Sequence, residues 1–396
     1  MTAASVIEQF PDDVRRTLVE LRRAVHREPE LAFQETRTAE RLEVALRALG
    51  VEDVQRVAGT GLIARIRGRR SRAPVVAVRG DIDALPIREA TGLEFASVND
   101  GVMHACGHDV HASWAVGAAA LLAREPADGD VMVVLQPAEE IGKGALAMME
   151  SGALDGVAAI FGGHVDRRFS VGQVVADDGP LAASADTFEI EIVGQGAHAA
   201  RPHESRDVIV SAAAVVSAIQ SIVARRLNPA IPGVVTVATI HAGTAPNVIP
   251  DRASLSGTIR AVDDASRELM LAELKRVAEN VASGFGTEAR VTFDLGTPPL
   301  VNPARVASWA REAAATVVGA EQVVPLGFVN MAAEDFACYM KQIPGCFMRI
   351  GAREPNGAVI PAHASTFYAA EESLFVGAAV LAACARTASR ELMLSH

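Results

Sequence analysis

The sequence predicts an α/β fold in two domains: a larger one on a central mixed β-sheet, interrupted by a smaller ferredoxin-like α+β insertion. Three observations lead there. At 396 residues and 50% hydrophobic content the chain exceeds the size at which one core keeps growing. Short β-branched runs separated by helical stretches, VVAVR at 75–79, VMVVL at 131–135, VAAIF at 157–161 and CFMRI at 346–350, read as strands buried on both faces. Between about 181 and 297 the pattern changes to alternating strands and amphipathic helices in the order βαββαβ.

The chain opens with helices over about 12–26 and 35–49, the second closed by Gly50 in the C-cap role. HREPELAFQE between them is a loop with polar groups able to line a site. GLIARIRG alternates as a strand and RRSRAP is an exposed basic turn. The insertion reads DTFEIEIVG as a strand, VIVSAAAVVSAIQSIVARRL as a helix, VVTVATIHAG and ASLSGTIRAV as strands, DDASRELMLAELKRVAENVASGF as a helix and EARVTFDL as the last strand. Helices then cover one face of its sheet, which suits a lid, a dimer surface, or both. The resulting division is 1–180 with 298–396 for the larger domain and 181–297 for the insertion.

Composition excludes some functions. A formal net charge of −11 disfavours a nucleic-acid backbone as partner. The N-terminus lacks the basic-then-apolar layout of a signal peptide, and apolar stretches such as 112–123 are short for a membrane span, so a cytoplasmic location is expected. Cys106, Cys338, Cys346 and Cys384 show no disulfide spacing.

Chemistry concentrates where the buried strands end. Residues 101–118, GVMHACGHDVHASWAVGA, place three histidines, a cysteine and an aspartate within eight residues. Cys106 and His108 are two apart, so in an extended segment both side chains leave one face and reach one metal ion. Asp81 and Asp83, at the end of the 75–79 strand, are placed to orient a metal-bound histidine or meet a cation; an Asx turn before Pro86 is the plainer reading. The vicinal Glu139 and Glu140 follow the 131–135 strand. Two acids held in a dry pocket would repel, unless one binds a cation while the other handles a proton. His164 follows the 157–161 strand, and His363 stands in PAHAS before a long apolar helix. A cysteine, three histidines and a glutamate suffice for two adjacent divalent ions, which polarise a carbonyl and lower the pKa of a bridging water. The second glutamate then takes the water's proton and passes it to a leaving amine.

In this order RGDIDALP, MHACGHDVHAS, QPAEE, GGHV, GQGAHAARPHES, GTAPNVIPD, GTIR and AEDF resemble the M20 metallopeptidase superfamily over residues 14–385, in its branch of hippurate hydrolases, N-acyl-amino-acid amidohydrolases and auxin-conjugate hydrolases. The resemblance implies a two-metal catalytic domain interrupted by a lid or dimerisation domain, in a homodimer or homotetramer. It implies Cys106, His108, Glu140, His164 and His363 as ligands to two zinc, manganese, cobalt or nickel ions, and Glu139 as general base. It also implies His198 near the substrate carbonyl, in some relatives from the partner subunit, and Asn247 and Arg260 at the substrate carboxylate or along the cleft. Asp81 and Asp83 stand where the wider superfamily has a histidine and an aspartate, as is normal for this branch, whereas GGHVDRRFSVG lacks the proline-containing continuation many members carry.

The expected reaction is hydrolysis of the amide joining an acyl group to an amino acid, on a small-molecule substrate. A dipeptidase or aminopeptidase would need a clamp for a free α-amine, and no residue is assigned to it by position. A metal-stabilised, catalytically silent dimeric binding protein could spare Glu139, so that residue favours catalysis.

Overall fold

A computed structural model describes residues 3–394. The chain forms two compact units: one holds the residues up to Gly179, Asn302–Gly327 and those from Cys338 onward, the other Pro180–Val301 and Phe328–Ala337. The sequence reading leaves 328–337 with the larger domain; in the structure it lies in the second unit, where Ala183 N donates to Ala332 O at 2.9 Å.

The first unit is built on a seven-stranded mixed sheet whose order, by residue range, is 54–57, 61–66, 131–136, 75–81, 157–170, 345–353, 174–175. The four central strands run parallel to one another, and the pairings nearer both edges are antiparallel. The parallel strands are buried along almost their whole length, as the continuous apolar runs require. Helix His108–Arg124 is buried nearly all round, which its uniformly small and apolar residues permit. It meets helix Glu372–Leu394 through glycines: a Cβ on Gly377 would stand 2.1 Å from the Trp114 ring, and one on Gly117 2.8 Å from Ala378 Cβ. Helices Asp12–Arg27 and Thr36–Ala48 fall where the periodicity puts them, and Gly50 has the left-handed φ of 85° that a C-terminal glycine supplies.

One element differs from expectation in a way that moves the site. The 157–161 strand continues to Ser170, so His164 lies within it, paired in register with Arg349. Gly163 makes this possible, because a Cβ there would crowd Met348 O at 3.2 Å. His363, as expected, precedes the long apolar helix: it sits on the connection between strand Gly345–Arg353 and helix Glu372–Leu394.

The second unit is a four-stranded antiparallel sheet in the order 233–242, 252–261, 186–193, 288–295, which is the ferredoxin-like arrangement of the βαββαβ order. Alternation decides which face is covered: Phe188, Ile190 and Ile192 are buried with Leu255 and Ile259 against Val208, Ala212, Val215, Met270 and Leu274 of the two helices. Both helices begin on aspartate caps, Asp207 accepting from Ile209 N at 2.9 Å and Asp263 from Ser266 N at 2.7 Å. The stretch Val208–Arg226 is long and apolar enough to cross a membrane by length and composition. Its buried side, Val208 to Ile222, packs on the sheet of this unit.

Candidate metal centre

Turns at the ends of the parallel strands bring six of the predicted residues into one pocket of the first unit. Cys106 Sγ lies 3.1 Å from His164 Nε2. His108 Nε2 lies 3.9 Å from Glu139 Oε2 and 3.8 Å from Glu140 Oε1, and Glu140 Oε2 lies 3.5 Å from His363 Nε2. Ligand atoms of Cys106, His108 and His164, of Cys106, Glu140 and His363, and of His108, Glu139 and Glu140 form groups whose members lie within 4.8 Å of one another. Cys106 and His108 do not converge by strand alternation. Gly107 between them takes a left-handed φ of 89°, and His108 starts the helix, so a turn aims the two side chains together.

A second set of groups fixes how these side chains point. His108 Nδ1 donates to Asp83, 2.9 Å from its carbonyl and 3.1 Å from Oδ1, while Asp83 Oδ2 accepts from Glu140 N at 3.0 Å. One carboxylate thus sets both a histidine and the backbone of the neighbouring acid. His164 Nδ1 donates to Val165 O at 2.6 Å, which leaves the Nε2 lone pair facing Cys106. His111 is held by Asp81 through Nδ1 at 2.6 Å, accepts from Val165 N at 2.9 Å through Nε2, and stacks on Trp114 at 4.5 Å between centroids. Asp81 also takes the Arg79 guanidinium, whose Nε donates to Gln136, and its Oδ2 lies 3.8 Å from His108 Nε2. Glu35 reaches in from the loop between the first two long helices and accepts from Ala138 N at 3.0 Å. That bond secures a backbone with φ 54° immediately before Glu139, a conformation a non-glycine residue adopts at a cost.

Electrostatics make the pocket a place for positive charge. Burial alone would lower the His108 pKa, but the charge of Asp81, the hydrogen bond to Asp83 and the neighbouring Cys106 sulfur outweigh it and hold the imidazole well above its ordinary value. Burial, helped by the charges of His111 and Arg349, pushes His164 well below its ordinary value, so it offers a neutral ring. Burial and then the Glu140 charge push the Cys106 thiol well up. His108 Nε2 and Glu140 Oε1 are buried with no hydrogen-bond partner among the described residues. Polar atoms are rarely buried in that state, and two of them facing each other across 3.8 Å fit a divalent cation, as does the donor set of thiol, imidazoles and carboxylate.

The remaining predicted residues lie in the second unit. His198 is exposed on a two-residue strand paired with Val248–Ile249, and its Nδ1 accepts from Ala200 N at 3.1 Å. Asn247, also exposed, accepts from Ala199 N at 3.0 Å through its carbonyl, so the His198 and Asn247 segments adjoin. Arg260 is partly buried in strand Arg252–Ala261, with Nη1 3.4 Å from Ser184 O. Sequence reasoning assigned no role to Arg79, Gln136 or Tyr339, which are joined through Gln136 Oε1 behind Asp81. Their spacing of 57 and 203 residues carries no local signal. The Asp81 and Asp83 pair was the signal available for the groups that orient the histidines.

Residues 77–387 match the model of peptidase family M20/M25/M40. The chain is 42% identical over 342 residues to an N-acetylcysteine deacetylase of Bacillus subtilis, covering 84% of this chain and 88% of that one. It is 37% identical over 375 residues to IAA-amino acid hydrolase ILR1-like 5 of Arabidopsis thaliana, covering 93% and 86% respectively. Among solved structures it is similar to the Bacillus subtilis YXEP protein, a dinuclear metal binding peptidase from the M20 family, with a TM-score of 0.85 at 37% identity over 96% of this chain and 99% of that one.

Proposed function

The chain belongs to peptidase family M20/M25/M40 and is a metal-dependent amide hydrolase; from that premise we propose that it cleaves N-acyl amino acids or related amino-acid conjugates. Cys106, His108, Glu140, His164 and His363 hold two divalent ions in this reading, zinc, manganese, cobalt or nickel being compatible with sulfur, nitrogen and oxygen donors. The observation that carries it is the unpartnered pair His108 Nε2 and Glu140 Oε1, in a pocket already supplied with Cys106 and His164. Such ions, when bound, supply Lewis acidity toward the amide carbonyl and lower the pKa of water.

The chain's own groups do the rest. Glu139, backed by the strained Ala138 turn, takes a proton from the attacking water and delivers it to the departing amine. His198 Nδ1 already accepts from Ala200 N, so its neutral ring carries hydrogen on Nε2, the form that donates to a developing oxyanion. Asn247 and Arg260 are assigned to the substrate carboxylate. Similarity to an N-acetylcysteine deacetylase and to an IAA-amino acid hydrolase supports the acyl-amino-acid class. A homodimer or homotetramer in the cytoplasm completes the proposal, and sedimentation of the loaded protein tests its assembly.

The deciding experiment offers metal-reconstituted protein N-acetyl, N-benzoyl and indole-acyl amino acids beside free dipeptides. Turnover of the acylated compounds is expected. Turnover confined to free dipeptides would replace this reading with a peptidase, and none on any amide with both ions bound would reject catalysis.

A further inference from the structure

Of the five proposed ligands, His363 is the most exposed. Its side chain is 54% exposed, against 10% for Glu140 and none for His108, and its φ of 67° lies in the left-handed region. A ligand on such a connection serves an ion only in the fraction of molecules where the connection is ordered, and apparent affinity falls by that fraction.

One side chain supplies the order. Arg167 stands on strand Val157–Ser170, three residues after His164, with its side chain 1% exposed. Its Nη1 donates to Ala352 O at 3.3 Å and Tyr368 O at 3.0 Å, and its Nη2 to Ala358 O at 2.9 Å and Glu354 Oε2 at 2.8 Å. The guanidinium also lies 4.3 Å from the centre of the Tyr368 ring. Its partners at 352, 354, 358 and 368 bracket His363 on both sides along the chain. Gly357 admits the closure, since a Cβ there would stand 2.6 Å from Glu354 Oε2. The backbone of this connection is also tied to other segments by His363 N to Ala105 O and Ala90 N to Ser365 O, each 2.8 Å, and folds on itself through Ala364 N to Pro361 O at 3.3 Å and Phe367 N to Ala364 O at 2.9 Å. Arg167 belongs to VDRRFS, the part of GGHVDRRFSVG where the proline-containing continuation is missing.

We propose that Arg167 is a positioning residue: it locks the connection bearing His363 to the strand bearing His164, and so sets the affinity for the second, more weakly held ion. This rests on the ligand assignment above. A planar fork that serves three carbonyls and a carboxylate has no substitute in lysine, which presents one compact point of charge.

The test compares native protein with Arg167→Lys, Arg167→Met and, as a control, Arg168→Gln, which removes a neighbouring guanidinium held by Asp166. Cobalt titration followed by visible absorption should show two binding steps in the native protein. In both Arg167 variants only the weaker step should shift, by about 10- to 100-fold, the usual loss when a group that orients a ligand is removed. Hydrogen exchange of metal-free protein should be faster over 355–367 in these variants and unchanged in the control. Native exchange over 355–367, equal loss at both steps, or faster exchange with both steps at native affinity would each overturn the proposal. His363→Ala titrated in parallel separates the two readings: two native steps in that variant would refute the ligand assignment, whereas loss of a step that Arg167→Lys keeps would refute the clamp alone.

Discussion

The buried pocket of the first unit and the His198–Asn247 turn of the second present histidines in opposite ways. In the pocket three imidazoles are fixed from behind, His108 by Asp83, His164 by Val165 O and His111 by Asp81, while the half-exposed His363 faces Glu140. On the turn, His198 is exposed and tied by one backbone bond. A donor atom that must meet an ion within a few tenths of an ångström has to be oriented by the fold before the ion arrives, and burial with a second partner achieves that. A group that meets a diffusing substrate gains from exposure and tolerates mobility until binding. The two regions should therefore fail differently when altered.

The largest effect is expected at Glu139, the acid proposed to handle the proton. Glu139→Gln keeps shape and removes basicity, so kcat should fall by about two to four orders of magnitude, the range for a positioned acid or base. Metal content, measured by elemental analysis, should remain native. A parallel fall in metal content would erase the distinction between Glu139 and Glu140.

Next comes the turn. His198→Ala should cost about 3 kcal/mol in the barrier, or roughly a hundredfold in kcat, if it donates to the oxyanion as a typical donor of that kind. Its metal content and thermal unfolding should match the native protein, because the side chain supports no buried contact of its own unit. An unchanged kcat in loaded protein would leave His198 a turn residue. Mixing His198→Ala with Glu139→Gln subunits tests whether the histidine serves a neighbouring copy; activity recovered after subunit exchange is the positive result.

The orienting groups follow. Asp83 accepts from His108 Nδ1 with one oxygen and from Glu140 N with the other, and an amide can serve only one of these donors. Asp83→Asn should weaken metal binding by about 10- to 100-fold while kcat at saturating metal changes less. Equal loss in both would mean that Asp83 does more than aim its neighbours.

These differences also mark what was legible in the sequence. Cys106 and His108, Glu139 and Glu140, and the ends of the 75–81 and 131–136 strands were readable because the relevant groups are adjacent in the chain and follow apolar runs of unmistakable period. The βαββαβ order was readable for the same reason, down to the face covered by helices. The extension of the third parallel strand past His164 was not, since only the register with 345–353 shows why Gly163 is needed there. Nor could local pattern find Arg79 behind Asp81, the passage of 328–337 into the second unit, or Arg167 around the His363 connection, because each depends on partners distant in the chain.

The smallest effect concerns the scaffold behind the pocket and has no counterpart on the exposed turn. His26, from the first long helix, is buried between Asp109 and Glu89, at 2.8 Å and 3.1 Å, with Arg22 also bonded to Asp109 and the rings of Phe95 and His104 alongside. Burial pulls its pKa down, but the charge and hydrogen bond of Asp109, with the hydrogen bond of Glu89, outweigh burial and the repulsion of Arg22, so the folded value is raised. A histidine with a raised folded pKa contributes stability that is fully present below its unfolded value, about 6.5, and that is lost as pH rises through the folded value. Urea unfolding from pH 5.5 to 9 should therefore show stability declining on the alkaline side. In His26→Gln the decline should become shallower, because the amide cannot titrate while His108, also held above its ordinary value, still does; overall stability will be lower after the loss of a buried partner for Asp109. His198→Ala should retain the native decline. If His26→Gln keeps the full alkaline slope and His198→Ala loses it, the contrast between a titrating buried scaffold and a lightly held exposed turn is wrong, and the charge that fixes the first unit lies elsewhere.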